Sequence, residues 1–297
     1  MKPVATVITV FRGGCEVVDD GELRALRLAG RHARREQALA VGDRVSFDPE
    51  SNTIDLVLPR RTQLARRRER DRHGPQVIAA NVDRLAIVAS LAEPDFHSEA
   101  VDRFALAAYA GGLEAILVVN KIDLLGGKPM PEEIEAYEEV FRVYRTSALC
   151  GTGVAELRAG LSESITVFAG HSGVGKSSLL NALEPELRLE TARVSARTRG
   201  GRHTTTSAIW LQLAGGAVVV DTPGVSELGS GPVDPALLRE VYPDIAREAR
   251  DCRFRDCRHD TEPECAVRDA IGEGRLRASR LASYQRLIAE LDRAGPM

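Results

Sequence analysis

The sequence has few lysines, few aromatic residues and no long apolar run. Of its 40 basic residues only four are lysines, and aromatic residues make up 4% of the 297 residues. No apolar run approaches the roughly 20 residues of a membrane-spanning helix, so no membrane partner is expected. The first residues lack the apolar core of a signal peptide, which favours a cytoplasmic protein. A hydrophobic share of 43% and this length favour two or three globular domains.

Cysteine is also scarce, and three of the five cysteines lie between residues 252 and 265. Cys252, Cys257, His259 and Cys265 have the spacing C-x4-C-x-H-x5-C, and three thiolates with one imidazole can form a tetrahedral shell around Zn²⁺. A closed shell leaves no position for a substrate. The sequence therefore predicts one structural zinc ion per chain in a reducing cytoplasm. The alternative, a set of unrelated buried cysteines, is disfavoured because the segment is rich in Arg and Asp.

A glycine-rich stretch predicts a phosphate-binding loop. Residues 170–177 match G-x-x-x-x-G-K-[ST], follow the apolar run 165–169 and precede a helix-prone segment. Glycines let successive backbone N–H groups face phosphate oxygens at a helix N-terminus. Lys176 is expected to reach the terminal phosphates and act in catalysis, and the Ser177 hydroxyl to ligate Mg²⁺. The predicted nucleotide contacts of this stretch are Gly170, His171, Ser172, Gly173, Val174, Gly175, Lys176, Ser177 and Ser178.

A second motif predicts that the bound base is guanine. Asn120, Lys121 and Asp123 belong to an N-K-x-D sequence at the end of an apolar run. The Asp123 carboxylate can accept hydrogen bonds from guanine N1–H and its exocyclic amine, a donor pair that adenine does not offer. We expect Asn120 to contact guanine O6 or N7 and also to buttress the phosphate loop, and the Lys121 stem to cover the base. Ser147 and Ala148 are expected to touch guanine from the other side.

A third group of residues is predicted to surround the γ-phosphate. Asp221 and Gly224 belong to a D-x-x-G sequence after a valine-rich run, with Asp221 near Mg²⁺ and the Gly224 N–H near the phosphate. Thr204 lies in a preceding loop that can close over Mg²⁺. Val225 follows D-x-x-G where many GTPases carry a glutamine that orients water. His203 is therefore the hypothesised catalytic group, and the alternative is an exposed loop histidine without a role.

The order of these motifs is unusual. A common GTPase has its phosphate loop first and N-K-x-D later, whereas here the guanine-reading motifs come first. Alternating strands and helices over residues 76–228 predict a parallel sheet with helices on both faces. Neighbours in such a sheet need not be neighbours in sequence, so the same site can form. The sequence predicts a circularly permuted α/β P-loop GTPase domain.

The two ends of the chain have different patterns. Residues 1–75 contain short alternating runs broken by turns, which predict an all-β closed barrel. An arginine-rich tract, residues 60–73, either forms a solvated linker or contacts RNA phosphates. Residues 229–297 are predicted to be helical around the zinc cluster.

Two helices can be placed from their periodicity. The first is predicted from Ser98 to Ala110, with Ser98 as a plausible N-cap and Gly111 with Gly112 as its stop. The second is predicted from about 278 to 292, with one apolar face formed by Leu281, Tyr284, Ile288 and Leu291.

Taken together, the permuted motifs, the barrel, the Cys₃His spacing and the sequence Ala80-Asn81-Val82-Asp83 resemble the RsgA family of ribosome small-subunit-dependent GTPases. The resemblance covers essentially the whole chain. It implies an OB-fold RNA-binding domain at 1–75, a permuted GTPase domain at 76–228 and a helical zinc-binding domain at 229–297. It also implies binding of GTP and GDP, of the small ribosomal subunit and of its rRNA during late maturation, with subunit-stimulated hydrolysis. A monomer is expected.

Two other classes of function fit parts of the sequence. An RNA-binding assembly factor could use GTP only as a structural ligand, although Lys176 and Ser177 favour hydrolysis. An ATP-dependent kinase could use the same phosphate loop, but Asp123 disfavours adenine. Measured turnover with and without ribosomal subunits distinguishes these classes from a GTPase.

Overall fold

The computed structural model of the chain describes residues 2–28, 39–66, 75–185, 208–222 and 235–294. In this order along the chain it contains a closed barrel, a six-stranded sheet with helices on both faces, and a group of C-terminal helices. No helix among the described residues is long and apolar enough to cross a membrane.

The barrel strands are β1 (Val4–Phe11), β2 (Gly14–Asp19), β3 (Glu22–Arg27), β4 (Arg44–Asp48) and β5 (Thr53–Val57). They close in the order β1-β2-β3-β5-β4, and β4 pairs with β1. Alternate side chains point inward, so Val7, Val17, Leu26, Val45 and Phe47 fill a core with no exposure to solvent. Closure leaves no free strand edge, and the predicted OB-fold barrel is confirmed.

A buried ion pair fastens the barrel to the next part of the chain. Two strands, β6 (Gln63–Arg66) and β7 (Gln76–Ala80), pair antiparallel and lead toward the central sheet. Asp43 in the barrel is fully buried and accepts hydrogen bonds from Arg60 Nε at 2.7 Å and Nη2 at 2.9 Å. The Ala40 N–H also donates to Asp43, at 2.8 Å. The domain boundaries at 75 and 228 stay predictions.

Replacing Arg60 by Ala is expected to lower the free energy of unfolding by about 3 kcal/mol, because it leaves a buried carboxylate without its cation. Urea unfolding of the full chain measures this change. Arg61→Ala is the matched control, since Arg61 pairs with Asp83 at 2.5 Å but its side chain is 62% exposed. That exposed pair is expected to contribute less than about 1 kcal/mol. Equal losses in the two variants would contradict a special role for the buried pair.

The central sheet has six strands, which are β8 (Arg84–Ser90), β9 (Glu114–Asn120), β10 (Arg142–Arg145), β11 (Ile165–Ala169), β12 (Ile209–Gln212) and β13 (Val218–Asp221). Their order in the sheet is β10-β9-β8-β11-β13-β12. All neighbouring pairs are parallel except β12 with β13. This order puts β11, which precedes the phosphate loop, between β8 and β13.

Helices cover both faces of this sheet. They are α1 (Ser98–Ala110), α2 (Glu132–Glu135), α3 (Val154–Gly160) and α4 (Lys176–Leu183). Along β8, Leu85 and Ile87 share a core with α1, whereas Ala86 and Val88 share one with α3 and α4. The alternation follows from the pleat of a strand that is buried on both faces. The predicted α/β architecture is therefore confirmed.

The first predicted helix has the predicted limits, Ser98 to Ala110, but a different N-cap residue. Its N-cap residue is His97, not Ser98, and no side chain caps it. Ser98 is 5% exposed, and its carbonyl accepts a hydrogen bond from Tyr137 Oη, between α2 and β10, at 3.2 Å. At the other end, the Gly111 N–H donates to the carbonyls of Ala107 and Ala108, as expected for a stop.

The C-terminal helices are α5 (Pro235–Val241), α6 (Pro243–Glu248), α7 (Ala266–Gly272) and α8 (Ala278–Ala294). The predicted last helix is confirmed by α8. Leu281, Tyr284 and Leu291 pack on the same core cluster that contains the α1 side of the sheet. The C-terminal helices therefore share their core with the sheet and do not form a separate core of their own.

Candidate nucleotide site and metal cluster

The predicted nucleotide-binding residues meet at one edge of the central sheet. Asn120 is the last residue of β9, Asp221 is the last residue of β13, and Gly170 directly follows β11. These strands are parallel, so their carboxyl ends lie at the same edge, where open α/β sheets bind ligands. The three motifs are brought together although they are up to about 100 residues apart in sequence.

The phosphate loop requires glycine at two positions. Gly175 has φ 92°, and a Cβ atom there would lie 2.4 Å from Asn120 Nδ2. A Cβ atom at Gly170 would lie 2.1 Å from the carbonyl oxygen of Val88. The loop ends at Lys176, the first residue of α4, so the free N–H groups of this helix start point into the loop.

Lys176 folds back over this loop. Its Nζ donates to the carbonyl oxygens of Gly170 at 2.5 Å and His171 at 3.0 Å. Burial lowers the pKa of Lys176, and Asp221 opposes that shift. Burial raises the pKa of Asp221, and Lys176 opposes it in turn. The charges of Lys176 and Asp221 therefore stabilise each other in this partly buried site. An anionic ligand bound there would also favour the charged form of the lysine.

Two phosphate-loop side chains face the protein interior. The ring centroid of His171 lies 6.3 Å from that of His97 and 6.4 Å from that of Phe104, so its side chain faces α1. Val174 is 3% exposed and belongs to the core on the opposite face. Both residues were predicted nucleotide contacts, and this orientation leaves their backbone groups for that purpose. Ser172 and Gly173, in contrast, are exposed.

Asn120 holds three loops together. It is 1% exposed, and its Nδ2 donates to the Val174 carbonyl at 3.0 Å. Its Oδ1 accepts from the Ala148 N–H at 3.1 Å and from Thr146 Oγ1 at 3.3 Å. Of the two roles predicted for Asn120, the geometry supports the buttress. The Ala148 N–H, a predicted guanine contact, is bonded to this amide.

Asp123 and Ser147 form the other end of the site. Asp123 is exposed, and its Oδ1 accepts from Ser147 Oγ at 2.6 Å. The same hydroxyl accepts from the Cys150 N–H at 3.1 Å. Ser147 therefore fixes one carboxylate oxygen of Asp123 and leaves the side chain facing solvent, where a base can be read.

Lys121 contacts a segment that the sequence reasoning missed. It has φ 62°, and its Nζ donates to the carbonyl of Glu93 in the loop after β8. A Cβ atom added at Gly175 would lie 3.9 Å from Lys121 Cε, so the lysine stem passes beside the phosphate loop. The loop after β8 thus forms a wall of the site. Its position at the carboxyl end of a buried strand is the only sequence signal that could have identified it.

Several predicted residues lie outside the described part of the chain. These are the catalytic candidate His203 and the γ-phosphate and Mg²⁺ contacts Thr204 and Gly224, together with Val225. Residues 67–73 of the arginine-rich tract also lie outside it. These roles stay predictions.

The four predicted metal ligands lie together. Their ligand atoms are all within 4.8 Å of one another. His259 Nδ1 is 3.6 Å from Cys252 Sγ and 3.5 Å from Cys265 Sγ, and the two sulfurs are 4.0 Å apart. A tetrahedron with metal–sulfur bonds of ~2.3 Å and metal–nitrogen bonds of ~2.1 Å has sulfur–sulfur edges of about 3.8 Å and sulfur–nitrogen edges of about 3.6 Å. The donor set therefore fits a tetrahedral cation.

The environment of the cluster suits a bound cation. Burial lowers the pKa of His259, which favours the neutral imidazole that ligates metals. Partial burial and the neighbouring thiols raise the pKa of Cys257 to about 12. Only a bound cation would make thiolates favourable there. His259 has φ 62°, and its carbonyl accepts from Gln285 at 2.9 Å, so α8 supports the ligand loop.

The phosphate loop follows β11. On one side of β11 lies β13, which ends at Asp221, and on the other side lie β8 and then β9, which leads into the N-K-x-D motif. This arrangement defines a P-loop GTPase whose motifs are circularly permuted. The RsgA GTPase family profile matches residues 57–231. The chain belongs to the RsgA GTPase family.

Relatives and solved structures agree with this assignment over nearly the full length. The small ribosomal subunit biogenesis GTPase RsgA of Chlorobaculum parvum is 38% identical, over 98% of this chain and 99% of that protein. The protein of the same name from Azotobacter vinelandii is 38% identical over 96% of this chain and 84% of that protein. The crystal structure of YjeQ from Thermotoga maritima has a TM-score of 0.76 and 31% identity, covering 98% of this chain and 99% of that one. YloQ, described as a circularly permuted GTPase, has a TM-score of 0.71 and 29% identity, covering 100% and 97%.

Proposed function

We propose that this GTPase binds the small ribosomal subunit and its rRNA during late subunit maturation, and that the subunit stimulates its hydrolysis of GTP to GDP and phosphate. The observation that carries the proposal is the pair of hydrogen bonds made by the side chain of Asn120. They join the N-K-x-D loop to the phosphate loop at Val174 and to the second predicted guanine-binding loop at Ala148. Membership of a family whose relatives are named small ribosomal subunit biogenesis GTPases supports the partner.

In this proposal the chain binds GTP through backbone and side-chain groups with distinct tasks. The N–H groups of the phosphate loop and the α4 start hold the phosphates, and Lys176 neutralises charge on the terminal ones. Asp123 reads the guanine edge. Ser177 would ligate Mg²⁺, Asp221 would contact it through water or another ligand, and a loop threonine such as Thr204 would close over it. The chemistry that Mg²⁺ would supply when bound is neutralisation of the charge that develops on the phosphates during phosphoryl transfer.

The metal of the Cys₃His cluster is proposed to be zinc. Three thiolates and one imidazole at tetrahedral separations are the donor set of structural Zn²⁺ sites. All four positions are supplied by the protein, which supports a structural role.

The RNA contact is assigned to the barrel and the arginine-rich tract. Arginines contribute to nucleic-acid affinity chiefly by neutralising phosphates, and OB-fold barrels recur in oligonucleotide binding. We infer a monomer that acts in the cytoplasm, where ribosomal subunits mature.

The experiment that tests this function measures GTP hydrolysis by the protein alone, with small subunits and with large subunits. Slow turnover alone and a rise on the order of 10³-fold with small subunits only are expected, since the chain lacks a glutamine after D-x-x-G. Lys176→Ala is expected to abolish both rates. GTP binding with no turnover under any condition would instead favour the alternative in which GTP is a structural ligand.

His203→Ala is expected to remove most of the subunit-stimulated turnover. The imidazole can orient or deprotonate the attacking water near neutral pH, and an orienting group is worth a factor of about 10³. Single-turnover hydrolysis with saturating small subunits measures the effect. GTP affinity and subunit affinity serve as controls and should change little. Full stimulation in this variant would place the orienting group elsewhere, most simply on the subunit.

A further inference from the structure

A buried ionic cluster joins α1 to the C-terminal helices. Asp102 of α1 has no solvent exposure and accepts hydrogen bonds from Tyr137 Oη at 3.0 Å and Tyr242 Oη at 2.7 Å. It also accepts from Ser283 Oγ and from Arg280 Nη1, the latter at 3.5 Å. Two donors meet each carboxylate oxygen, so all four acceptor positions of an ionised aspartate are filled.

Arg280 is held as tightly as Asp102. Its side chain is 2% exposed and lies between the rings of Tyr137 and Tyr242, at 4.9 Å and 4.6 Å from their centroids. Its Nε donates to Asp244 at 2.9 Å and its Nη2 to the Val241 carbonyl at 3.0 Å. We call these six side chains the Asp102 joint, which consists of Asp102, Tyr137, Tyr242, Asp244, Arg280 and Ser283.

The helix that carries Asp102 also contacts the phosphate loop. Phe104, two residues after Asp102, and His97, just before the helix, both have their rings against His171. The helix therefore touches the C-terminal helices and the nucleotide site within two turns. A rotation or slide of α1 that reorganised the Asp102 joint would also move the rings that pack against His171 in the phosphate loop, because packed interfaces do not deform continuously.

A buried ion network by itself is weak evidence for stability, and replacing one with apolar groups is often tolerated. The Asp102 joint specifies geometry instead, since three separate segments, which carry Tyr137, Tyr242 and the α8 residues, converge on the one carboxylate of α1. We propose that Asp102 and Arg280 are positioning residues for GTP hydrolysis. They couple the position of α1 to the position of the C-terminal helices, and α1 in turn positions the His171 side of the phosphate loop. This inference rests on the proposed function.

Asp102→Asn tests the proposal. It keeps the size of the side chain but replaces one carboxylate oxygen by an amide NH₂ group, which then faces two hydrogen-bond donors of the joint. With saturating small subunits, the turnover number is expected to fall about tenfold, within the usual range of coupling between sites. The subunit concentration for half-maximal stimulation and the affinity for GDP are expected to stay within about twofold. Leu287→Ala is the matched control, since Leu287 is buried on α8 in the same core but outside the joint. The turnover number of Leu287→Ala, compared with its unfolding temperature, shows how much activity is lost through lower stability alone.

The outcomes separate positioning from stability. Loss of stimulation in Asp102→Asn, with stimulation kept in Leu287→Ala at an equal or lower unfolding temperature, supports the proposal. Equal loss in both variants, or full stimulation in Asp102→Asn, overturns it. If Asp102→Asn does not fold, Arg280→Lys replaces it, because lysine keeps the charge but not the planar fork between the two rings.

A second readout separates this inference from the proposed function. If small subunits fail to stimulate the parent protein, the proposed function fails. Hydrogen exchange of residues 170–175 with GDP bound then tests the joint by itself. Faster exchange in Asp102→Asn than in Leu287→Ala supports it, and equal exchange overturns it.

Discussion

Asp123→Asn is expected to change the nucleotide preference from guanine to xanthine. In the folded chain, Ser147 Oγ donates to Asp123 Oδ1. An asparagine at this position can keep that bond only by placing its carbonyl oxygen toward Ser147. Its amide group then faces the base, where it meets the N1–H and amine donors of guanine. Xanthine carries a carbonyl in place of the amine and can accept from the amide.

The expected loss of GTP affinity is about 10²-fold or more, since a charge-assisted pair of hydrogen bonds is replaced by facing donors. Competition binding of GTP and XTP measures the exchange. Ser147→Ala is the control, because it removes the orienting hydroxyl but keeps the carboxylate. It should weaken GTP binding by about tenfold without any gain for XTP. Asp123→Asn protein that binds GTP as well as the parent does would show that Asp123 does not read the base.

Removing the metal is expected to unfold the loop that carries the four ligands. Binding of Zn²⁺ to such a donor set is worth about 10–16 kcal/mol in small zinc domains, and much of it appears as folding energy. Cys257→Ala should lower the zinc content below one ion per chain and expose residues 252–265 to rapid hydrogen exchange. Elemental analysis and exchange mass spectrometry measure the two effects on the full chain.

The effect should be local to the C-terminal part of the chain. The GDP affinity is expected to change little, because the ligand cluster and the nucleotide loops lie on different elements. Cys150→Ala is the matched control, since Cys150 is an exposed cysteine outside the cluster. It should keep full zinc content and the exchange pattern of the parent. A zinc-free Cys257→Ala protein with residues 252–265 fully protected would rule out a structural metal.

The site could be predicted wherever its chemistry is local in sequence. The phosphate loop is one continuous stretch whose backbone turns require glycines at particular places, as the contact between Gly175 and Asn120 shows. The cluster of Cys252, Cys257, His259 and Cys265 lies within 14 residues, so its spacing alone limits the metals that it can hold. Alternating patterns likewise predict the barrel and the sheet, because each period reports which side of a strand is buried.

Other features depend on which distant segments pack together. The motif predicts both base contact and a buttress for Asn120, and the partners of the buttress, Val174 and Ala148, follow only from the packing of distant loops. The wall formed at Glu93 and the orientation of His171 are likewise results of packing.

The amino-acid sequence by itself predicts the class of nucleotide, the permuted order of the motifs and the candidate metal ligands, since short motifs carry that chemistry within one loop or strand end. The tertiary structure alone decided how these parts are coupled. Asp102 and Arg280 are 178 residues apart, and each is an unremarkable charge on a helix until folding buries both in one place. A buried charge must find its partner wherever the chain topology brings one, and local periodicity contains no record of that partner.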